Sequence, residues 1–340
     1  MKAQTLDASY PSTFDASTCA RRGLCPVSRL NDPGSNAALE HHSLYYEQHG
    51  TGPERVIFIS GLNVSSLAWV WQIQHFVQDP KYSVLVYDNC GVGNSDTPLG
   101  PYTTSGMAED LITLLDFIGW KESRALHIVG VSFGGMIAQE LATRIPDRIA
   151  SLLLAATSSG GWPWANFPPL RGVLSIAGVA LTSDNETKIS HILEGGFPRE
   201  WLETKAEDDK RDSTNREVVA QLYRDILERS RPQSFVGQLF QMAAALTHNV
   251  PPFRLRAISE NIPKVLILTG DGDQLVRPSR SVHLKECMPE AEFVQWESTG
   301  HGLHTQHNRR FNEVLERVFE EGRVRSNGER LPWREGDSQV

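Results

Sequence analysis

Short apolar runs alternate with helical patterns along most of the chain, and this alternation constrains the fold more than any other feature of the sequence. The runs "RVIFIS", "SVLVYD", "ALHIVG" and "IASLLLAAT" are each typical of a buried strand, and helical patterns such as "AEDLITLLDFIGW" stand between them. Alternation of this kind indicates parallel strands joined by crossover helices. The sequence therefore predicts an α/β fold with a doubly wound, mostly parallel sheet covered by helices on both faces.

The alternation stops after residue 157 and resumes with "KVLILTG", "AEFVQWEST" and "RRFNEVLERVFEEG". Patterns such as "VVAQLYRDILERS" predict helices in the interval. We therefore expect a core formed by residues 40–157 and 261–322, interrupted by a helical insertion over residues 158–260. The flanking stretches 1–39 and 323–340 are polar, with little apolar periodicity, and are predicted to be tails or surface straps.

Composition and charge limit the classes of binding partner and the cellular compartment that we expect for this chain. A net charge of -8 without a Lys/Arg-rich run argues against nucleic acid. No run approaches the ~20 apolar residues that span a bilayer, and the N-terminus lacks the apolar core of a signal peptide. The four cysteines have neither disulfide-framework nor zinc-ligand spacing. We expect a soluble, cytoplasmic protein that acts on a small molecule without stable membrane insertion; whether it forms a homo-oligomer stays open.

The segment "GVSFGG", residues 130–135, lies directly between a strand pattern and a helix pattern. Gly130, Ser132 and Gly134 fit G-x-S-x-G, a sharp strand-to-helix turn that exposes a serine hydroxyl above the sheet while the glycines relieve crowding. The alternative is a tight glycine-rich turn with an incidental serine. The position of the motif between strand and helix favours a nucleophile elbow.

A serine nucleophile needs a histidine to take its proton and a carboxylate to orient that histidine. Both are expected after later strands, because ligands bind at the carboxyl ends of parallel strands. "TGHGLH" follows one strand pattern, and His301, between two glycines, is the predicted base; the nearby His304 and His307 are interpreted as surface or supporting residues. "GDGDQLV" follows another strand and offers Asp271 and Asp273 as the carboxylate. This chemistry needs no metal ion.

Acyl transfer also needs an oxyanion hole, commonly built from the backbone N–H after the nucleophile and a second N–H after an early strand. Phe133 supplies the first by position. "SGLN", residues 60–63, follows "RVIFI", so Leu62 is the predicted second donor, with Gly61 letting the backbone approach the substrate. A plain glycine-containing turn is the alternative at this place.

Together these segments resemble the α/β-hydrolase superfamily over about residues 41–322. The segments that carry the resemblance are "RVIFISGLNVSSLAW", "YDNCGVGNSD", "GVSFGG", "GDGDQLVRP" and "GHG". The resemblance implies an eight-stranded, mostly parallel sheet and makes the insertion 158–260 a helical lid. It also implies that Asp273 is the carboxylate, whereas Asp271, one step from the strand, would hydrogen-bond the turn.

The sequence departs from the superfamily at two positions. Many members carry histidine where this chain has Ser60, and arginine is frequent where it has Cys90. Relatives that open epoxides or remove halides carry aspartate at the elbow, so Ser132 disfavours those reactions. "GVGNS" and "GVSFGG" match neither a full dinucleotide fingerprint nor a P-loop, so no pterin, flavin or nucleotide cofactor is expected.

The insertion opens with the apolar stretch "GWPWANFPPLRGVLSIAGVAL". Its Trp162, Trp164 and Phe167, together with Gly61, are the predicted substrate-binding residues for an apolar acyl or aromatic group; the alternative is that the aromatic rings only pack the lid on the core. The leading hypothesis is hydrolysis of a carboxylic ester, thioester or lactone through an acyl-Ser132 intermediate. Cofactor-free carbon–carbon bond cleavage or acyl transfer, and a ligand-binding protein with a hydrolase shell, are the alternatives.

Overall fold

The computed structural model describes residues 10, 12, 14–29, 40–207 and 212–328. The strands are β1 (Cys19–Arg29), β2 (Glu40–His49), β3 (Glu54–Ile59), β4 (Tyr82–Tyr87), β5 (Leu126–Val131), β6 (Ile149–Ala155), β7 (Lys264–Gly270) and β8 (Glu292–Trp296). The α-helices are α1 (Val70–Phe76), α2 (Thr104–Phe117), α3 (Phe133–Ala142), α4 (Leu170–Leu181), α5 (Asn185–Gly196), α6 (Arg199–Leu202), α7 (Asn215–Arg229), α8 (Phe235–Thr247), α9 (Pro252–Asn261), α10 (Pro278–Cys287), α11 (Leu303–Gln306) and α12 (Asn308–Ser326).

The strands form one eight-stranded sheet in the order β1-β2-β4-β3-β5-β6-β7-β8. β1 and β2 pair antiparallel, as do β2 and β4, and every other neighbouring pair is parallel. Strands β4 to β7 are buried along their whole length, as expected where helices cover both faces. The predicted doubly wound, mostly parallel eight-stranded sheet is confirmed.

Alternate side chains of each central strand enter two different apolar clusters. On β3, Ile57 and Ile59 join the cluster under α2 and α3, whereas Val56 and Phe58 join the cluster under α1 and α12. This follows from the two-residue period of a strand. In the described ranges, no helix is both long and apolar enough to cross a membrane.

The structure differs from the expected tails at both ends. Cys19–Arg29 lies inside the predicted tail 1–39 yet forms β1, which pairs with β2 from Cys19↔His49 to Arg29↔Glu40. β1 is an edge strand, where Pro26 is tolerated and no continuous apolar run is needed, so its sequence gave no strand signal. At the other end α12 continues past residue 322 to Ser326. Residues 1–9, 30–39 and 329–340 lie outside the described residues.

The predicted insertion is helical, and α4 to α9 form it. Helix α9 also closes onto the core, because its Leu255 and Ile258 enter the buried cluster beneath α2 and α3. The insertion leaves the sheet after β6 and returns to it at β7, so the lid stands above the carboxyl ends of the parallel strands, where sheets of this kind bind ligands.

Candidate active site

Ser132 occupies the single-residue turn between β5 and α3. Its backbone has φ 57° and ψ -122°, an unfavourable conformation for a residue with a side chain, costing about 1–3 kcal/mol. The surrounding hydrogen bonds hold it there: its N–H donates to Ala155 O at 2.9 Å, and Thr157 Oγ1 donates to its carbonyl at 2.7 Å. The hydroxyl is therefore presented at the end of the strand on a fixed backbone.

The glycines around Ser132 allow the close approach of three chain segments. A Cβ on Gly134 would overlap the Ile59 carbonyl oxygen at the end of β3, and one on Gly130 would stand 2.5 Å from Gly134 O. Across the turn, a Cβ on Gly61 would lie 3.6 Å from Ser132 Cβ. The elbow and the predicted oxyanion turn therefore pack directly against each other.

Asp273 and His301 are joined by a hydrogen bond of 2.8 Å between Asp273 Oδ2 and His301 Nδ1. The other carboxylate oxygen accepts two backbone N–H groups, from Leu275 and Val276, each at 2.8 Å. The Asp273 side chain is 0% exposed and that of His301 12%. Nδ1 is therefore the ring nitrogen that faces the carboxylate, and a neutral ring that donates from Nδ1 carries its lone pair on Nε2.

Asp271 serves a different purpose in the same loop. It is exposed, and its Oδ1 accepts the Thr299 N–H at 3.1 Å, which ties the acid loop to the segment before His301. The structure thus brings Asp273, and not Asp271, to the histidine ring.

Gln306 holds the loop that carries His301, and sequence reasoning missed it. Its Oε1 accepts the Gly300 N–H at 2.8 Å, and its Nε2 donates to Ser298 O at 2.9 Å. From the lid, Gly196 O accepts the Gly302 N–H at 2.9 Å. Only the closeness of Gln306 to His301 in sequence could have pointed to it, because a glutamine at the end of a short helix carries no signal of its own.

The two rival histidines are packed behind His301. His304 lies between Trp69 and Phe311, with ring centroids 5.0 and 6.1 Å away, and burial, helped by His301, lowers its pKa to about 3. His307 Nε2 lies 3.0 Å from Thr299 Oγ1, and burial lowers its pKa as well. Both are therefore neutral supporting groups of the His301 loop at neutral pH.

The two predicted oxyanion donors, Phe133 and Leu62, come directly after Ser132 and after Gly61 in the chain. Phe133 is the first residue of α3, and the first N–H groups of a helix have no partner within it. Leu62 follows Gly61 in the turn after β3. Among the described residues no hydrogen bond joins the Ser132 hydroxyl to the His301 ring; such bonds are often long in enzymes without substrate.

The predicted oxyanion turn, residues 60–63, is anchored from the lid by two glutamines near α8. Gln241, 0% exposed, accepts the Asn63 N–H at 2.8 Å and donates to Cys90 O at 2.8 Å. Gln233 donates to Asn63 Oδ1 at 3.0 Å and to Gly91 O at 2.9 Å. Asn63 itself has φ 57°, so the turn reverses sharply beside Leu62. Neither glutamine carried a sequence motif, because their partners lie more than a hundred residues away.

Other parts of the lid contact the loops that carry Asp273 and His301. Gly172 of α4 packs on the Gln274 carbonyl, next to Asp273, so closely that a Cβ would overlap it. The ring of Phe197, between α5 and α6, lies against Gly302, next to His301. We call these two contacts and the Gln241 bonds the three lid contacts.

The two positions that depart from the superfamily pattern are both buried. Ser60 Oγ accepts from Trp69 Nε1 at 3.1 Å, so it fixes a neighbouring ring. Cys90 is 0% exposed, and its carbonyl receives the bond from Gln241. The Cys90 side chain thus packs in the core beneath the oxyanion turn, as expected of a buried apolar cysteine.

The predicted aromatic substrate-binding residues lie at the start of the lid. Trp162 is 71% exposed and Phe167 55%, while the side chain of Trp164 lies outside the described residues. Phe167 lines a small cleft with Met136, Leu275 and Val276, which places it beside the elbow helix and the acid loop. Substrate binding by these residues stays a prediction.

The fold and this arrangement define a hydrolase of the α/β class, and comparison with known proteins agrees. The family model for the alpha/beta hydrolase fold matches residues 54–307, and the chain belongs to that family.

Among individual proteins, the chain is 28% identical over 285 residues to the candidate carbamate hydrolase RutD of Caulobacter vibrioides, covering 80% of this chain and 93% of that protein. The enol-lactonase of Burkholderia xenovorans LB400 has a similar structure, with a TM-score of 0.64 and 21% identity over 82% of this chain and 97% of that one. A thermophilic esterase of Thermogutta terrifontis is similar in structure with a TM-score of 0.64 and 20% identity, and the match covers 89% of this chain and 99% of that one. Because the identities to these two structures are only 21% and 20%, the likeness establishes a shared fold alone.

Proposed function

We propose that this protein is a serine hydrolase that cleaves a carboxylic ester, thioester or lactone of an apolar acyl or aromatic small molecule through an acyl-Ser132 intermediate. The observation that carries the proposal is a strained serine at the end of β5 together with a histidine whose Nδ1 is held by Asp273, in the loop that follows β8 at the same edge of the sheet. A histidine fixed in this tautomer has its Nε2 lone pair available as a base.

In the proposed reaction His301 Nε2 takes the proton of Ser132 as its Oγ attacks the carbonyl carbon. The negative oxygen that forms accepts from the N–H groups of Leu62 and Phe133. The tetrahedral adduct collapses, the bond to the leaving oxygen or sulfur breaks, and the leaving group takes the proton from His301. Water then attacks the acyl-serine with His301 as base, which releases the acid and restores the hydroxyl.

The preference for an apolar acyl group is supported by the surroundings of the elbow. Leu62 is half-buried against the core, and Met136 lines a cleft together with Phe167. The same cleft is also lined by Asn166, Arg277 and Arg280, so it offers apolar surface for the acyl group beside polar groups that can set its orientation. The carbamate and lactone activities in the names of the similar proteins belong to the same acyl chemistry, because each attack forms a tetrahedral centre.

A fluorophosphonate probe followed by intact and peptide mass spectrometry tests the nucleophile and base together. We expect one adduct, on Ser132, that is absent in Ser132→Ala and much slower in His301→Ala. A folded wild-type protein that stays unlabelled by small probes would reject the activated serine and favour a ligand-binding protein with a hydrolase shell.

Steady-state assays then separate the reaction classes. Turnover of p-nitrophenyl esters of graded chain length is expected for the proposed esterase. Turnover restricted to β-diketone or dienone compounds would instead favour carbon–carbon bond cleavage by the same residues, and transfer to an added alcohol in preference to water would favour acyl transfer.

A further inference from the structure

Three potential metal ligands meet at the opposite end of the sheet from Ser132. Cys19 begins β1 and is the register partner of His49 in β2, while Glu47 precedes His49 by two residues and so faces the same side of the strand. His49 in turn pairs with Val84, near the start of β4, whereas Ser132 follows the end of β5. The ligand atoms of the three side chains lie within 4.8 Å of one another.

The hydrogen bonds of Thr18 fix the tautomer of His49. Thr18 Oγ1 donates its proton to Asp15 O at 2.8 Å, and the same oxygen lies 2.9 Å from His49 Nδ1. Since the hydroxyl proton is already used, the ring must supply the proton, and Nδ1 is the donor. For a neutral ring this leaves an unprotonated Nε2.

His49 Nε2 is fully buried and has no hydrogen-bond partner. The nearest charged atom is Glu47 Oε2, at 3.5 Å. A charge-assisted N–H···O bond is typically about 2.7–2.9 Å long, so this separation is wide for an imidazolium–carboxylate pair. With a neutral ring, the lone pair of His49 Nε2 therefore faces Glu47 Oε2, and a cation bound between these two atoms would be a ligand to both.

One oxygen of the Glu47 carboxylate is already engaged by a neighbouring hydroxyl group. The Tyr45 hydroxyl donates to Oε1 at 2.8 Å, which leaves Oε2 directed to the cluster.

We propose that Cys19 Sγ, Glu47 Oε2 and His49 Nε2 form a binding site for Zn²⁺ or a similar transition-metal ion, with one coordination position open to water. One sulfur, one oxygen and one nitrogen ligand are the donor types that Zn²⁺ accepts. In a tetrahedral zinc site with metal–ligand bonds of about 2.0–2.3 Å, the ligand atoms lie about 3.5 Å from one another. The three atoms here lie within 4.8 Å of one another, so they need to move closer by about 1 Å on binding. Cys19, which is only half-buried, can make this movement.

Hydrogen bonds around the cluster match those of an established metal site. Ligating histidines donate their other N–H to a nearby acceptor, as His49 does to Thr18, and ligating carboxylates are themselves hydrogen-bonded, as Glu47 is by Tyr45. On binding, Cys19 loses its thiol proton to solvent and ligates as a thiolate. The ion would fasten the start of β1 to β2 and would not depend on the chemistry at Ser132.

Cobalt titration of tag-free, chelator-treated full-length protein tests the site, because Co²⁺ bound to a thiolate gives a charge-transfer absorption band. We expect saturation at one equivalent, displacement by Zn²⁺, and loss of the band in Cys19→Ser. Thr18→Val keeps all three ligands but removes the acceptor of the Nδ1–H, and should weaken Co²⁺ binding about 10- to 100-fold. Circular dichroism establishes that each variant is folded.

Cys287→Ser is the matched control, because Cys287 is also half-buried beside a histidine, with His283 Nε2 3.6 Å from its sulfur. The band should be unchanged in this variant. Absence of a saturable band in the wild type, its persistence in Cys19→Ser, or its loss in Cys287→Ser would each overturn the proposal. Retained labelling of Ser132 in Cys19→Ser would separate this result from any failure of the proposed hydrolase.

Discussion

Replacing Asp273 by asparagine tests the proposed catalytic geometry most sharply. The side-chain oxygen of asparagine can still accept the N–H groups of Leu275 and Val276, now at 2.8 Å from Asp273 Oδ1. Its NH₂ group then faces His301 Nδ1, where the carboxylate Oδ2 stood at 2.8 Å. The ring must turn its Nδ1 lone pair to this donor, so its proton moves to Nε2, which can no longer accept the proton of Ser132.

Loss of the correct tautomer costs about 10⁴ in kcat in serine hydrolases that have been measured, or about 5.4 kcal/mol of transition-state stabilisation. We therefore expect Asp273→Asn to lower both the turnover of an accepted p-nitrophenyl ester and the rate of fluorophosphonate labelling by about that factor. The melting temperature, measured alongside, separates a lost fold from a lost base.

Asp271→Asn is the matched control in the same loop. Its amide oxygen can still accept the Thr299 N–H, and the side chain is exposed, so activity should stay within about threefold of the wild type. The reasoning is refuted if Asp271→Asn is as damaging as Asp273→Asn, or if Asp273→Asn keeps a tenth or more of the activity.

Three further substitutions test the supports of the site. Gln241→Leu leaves two backbone partners unsatisfied, at about 1–3 kcal/mol each, and should lower the urea midpoint and slow labelling; an unchanged midpoint would contradict the anchoring role. Gly134→Ala would force a methyl group onto the Ile59 carbonyl and cost about 1–3 kcal/mol by urea unfolding, whereas Gly196→Ala, with nothing within 4 Å, is the neutral control. Burial lowers the pKa of His248 to about 4, so below pH 6.5 the unfolded chain binds a proton that the folded chain rejects. The contribution of His248 to the free energy of unfolding is therefore fully present above pH 6.5. As the pH is lowered from 6.5 to 4, this contribution should fall by about 1.4 kcal/mol per pH unit. His248→Gln should show a shallower fall over that interval, and equal slopes would argue against a buried neutral ring.

The parallel part of the sheet could be predicted because β3 to β7 consist of apolar runs that need no partner to be recognised. The edge strand β1 could not, because "CARRGLCPVSR" contains three arginines and a proline, and its pairing with β2 is visible only in the fold. Its neighbour β2 shares this dependence, since "EHHSLYYEQH" mixes polar and aromatic residues.

The candidate site divides in the same way. Ser132 and His301 follow strands in short loops with glycines, so position along the chain was enough to select them. Position left Asp271 and Asp273 open, and only the resemblance to the superfamily favoured Asp273. Gln241 and Gln306 carry no local signal, since each acts through hydrogen bonds that only the folded chain brings together. Burial of the Cys19, Glu47 and His49 cluster equally depends on strand register rather than on spacing.

The three lid contacts have a consequence for how such a protein can be diversified. Gly172, Phe197 and Gln241 each join a different part of the lid to a different loop of the proposed active site, so one lid cannot simply be exchanged for another. A chimera that receives a foreign lid without these three contacts would acquire a new pocket together with displaced acid, histidine and oxyanion loops. New specificities are therefore most accessible through substitutions at other positions of α4 and α8, with the three contacts inherited unchanged.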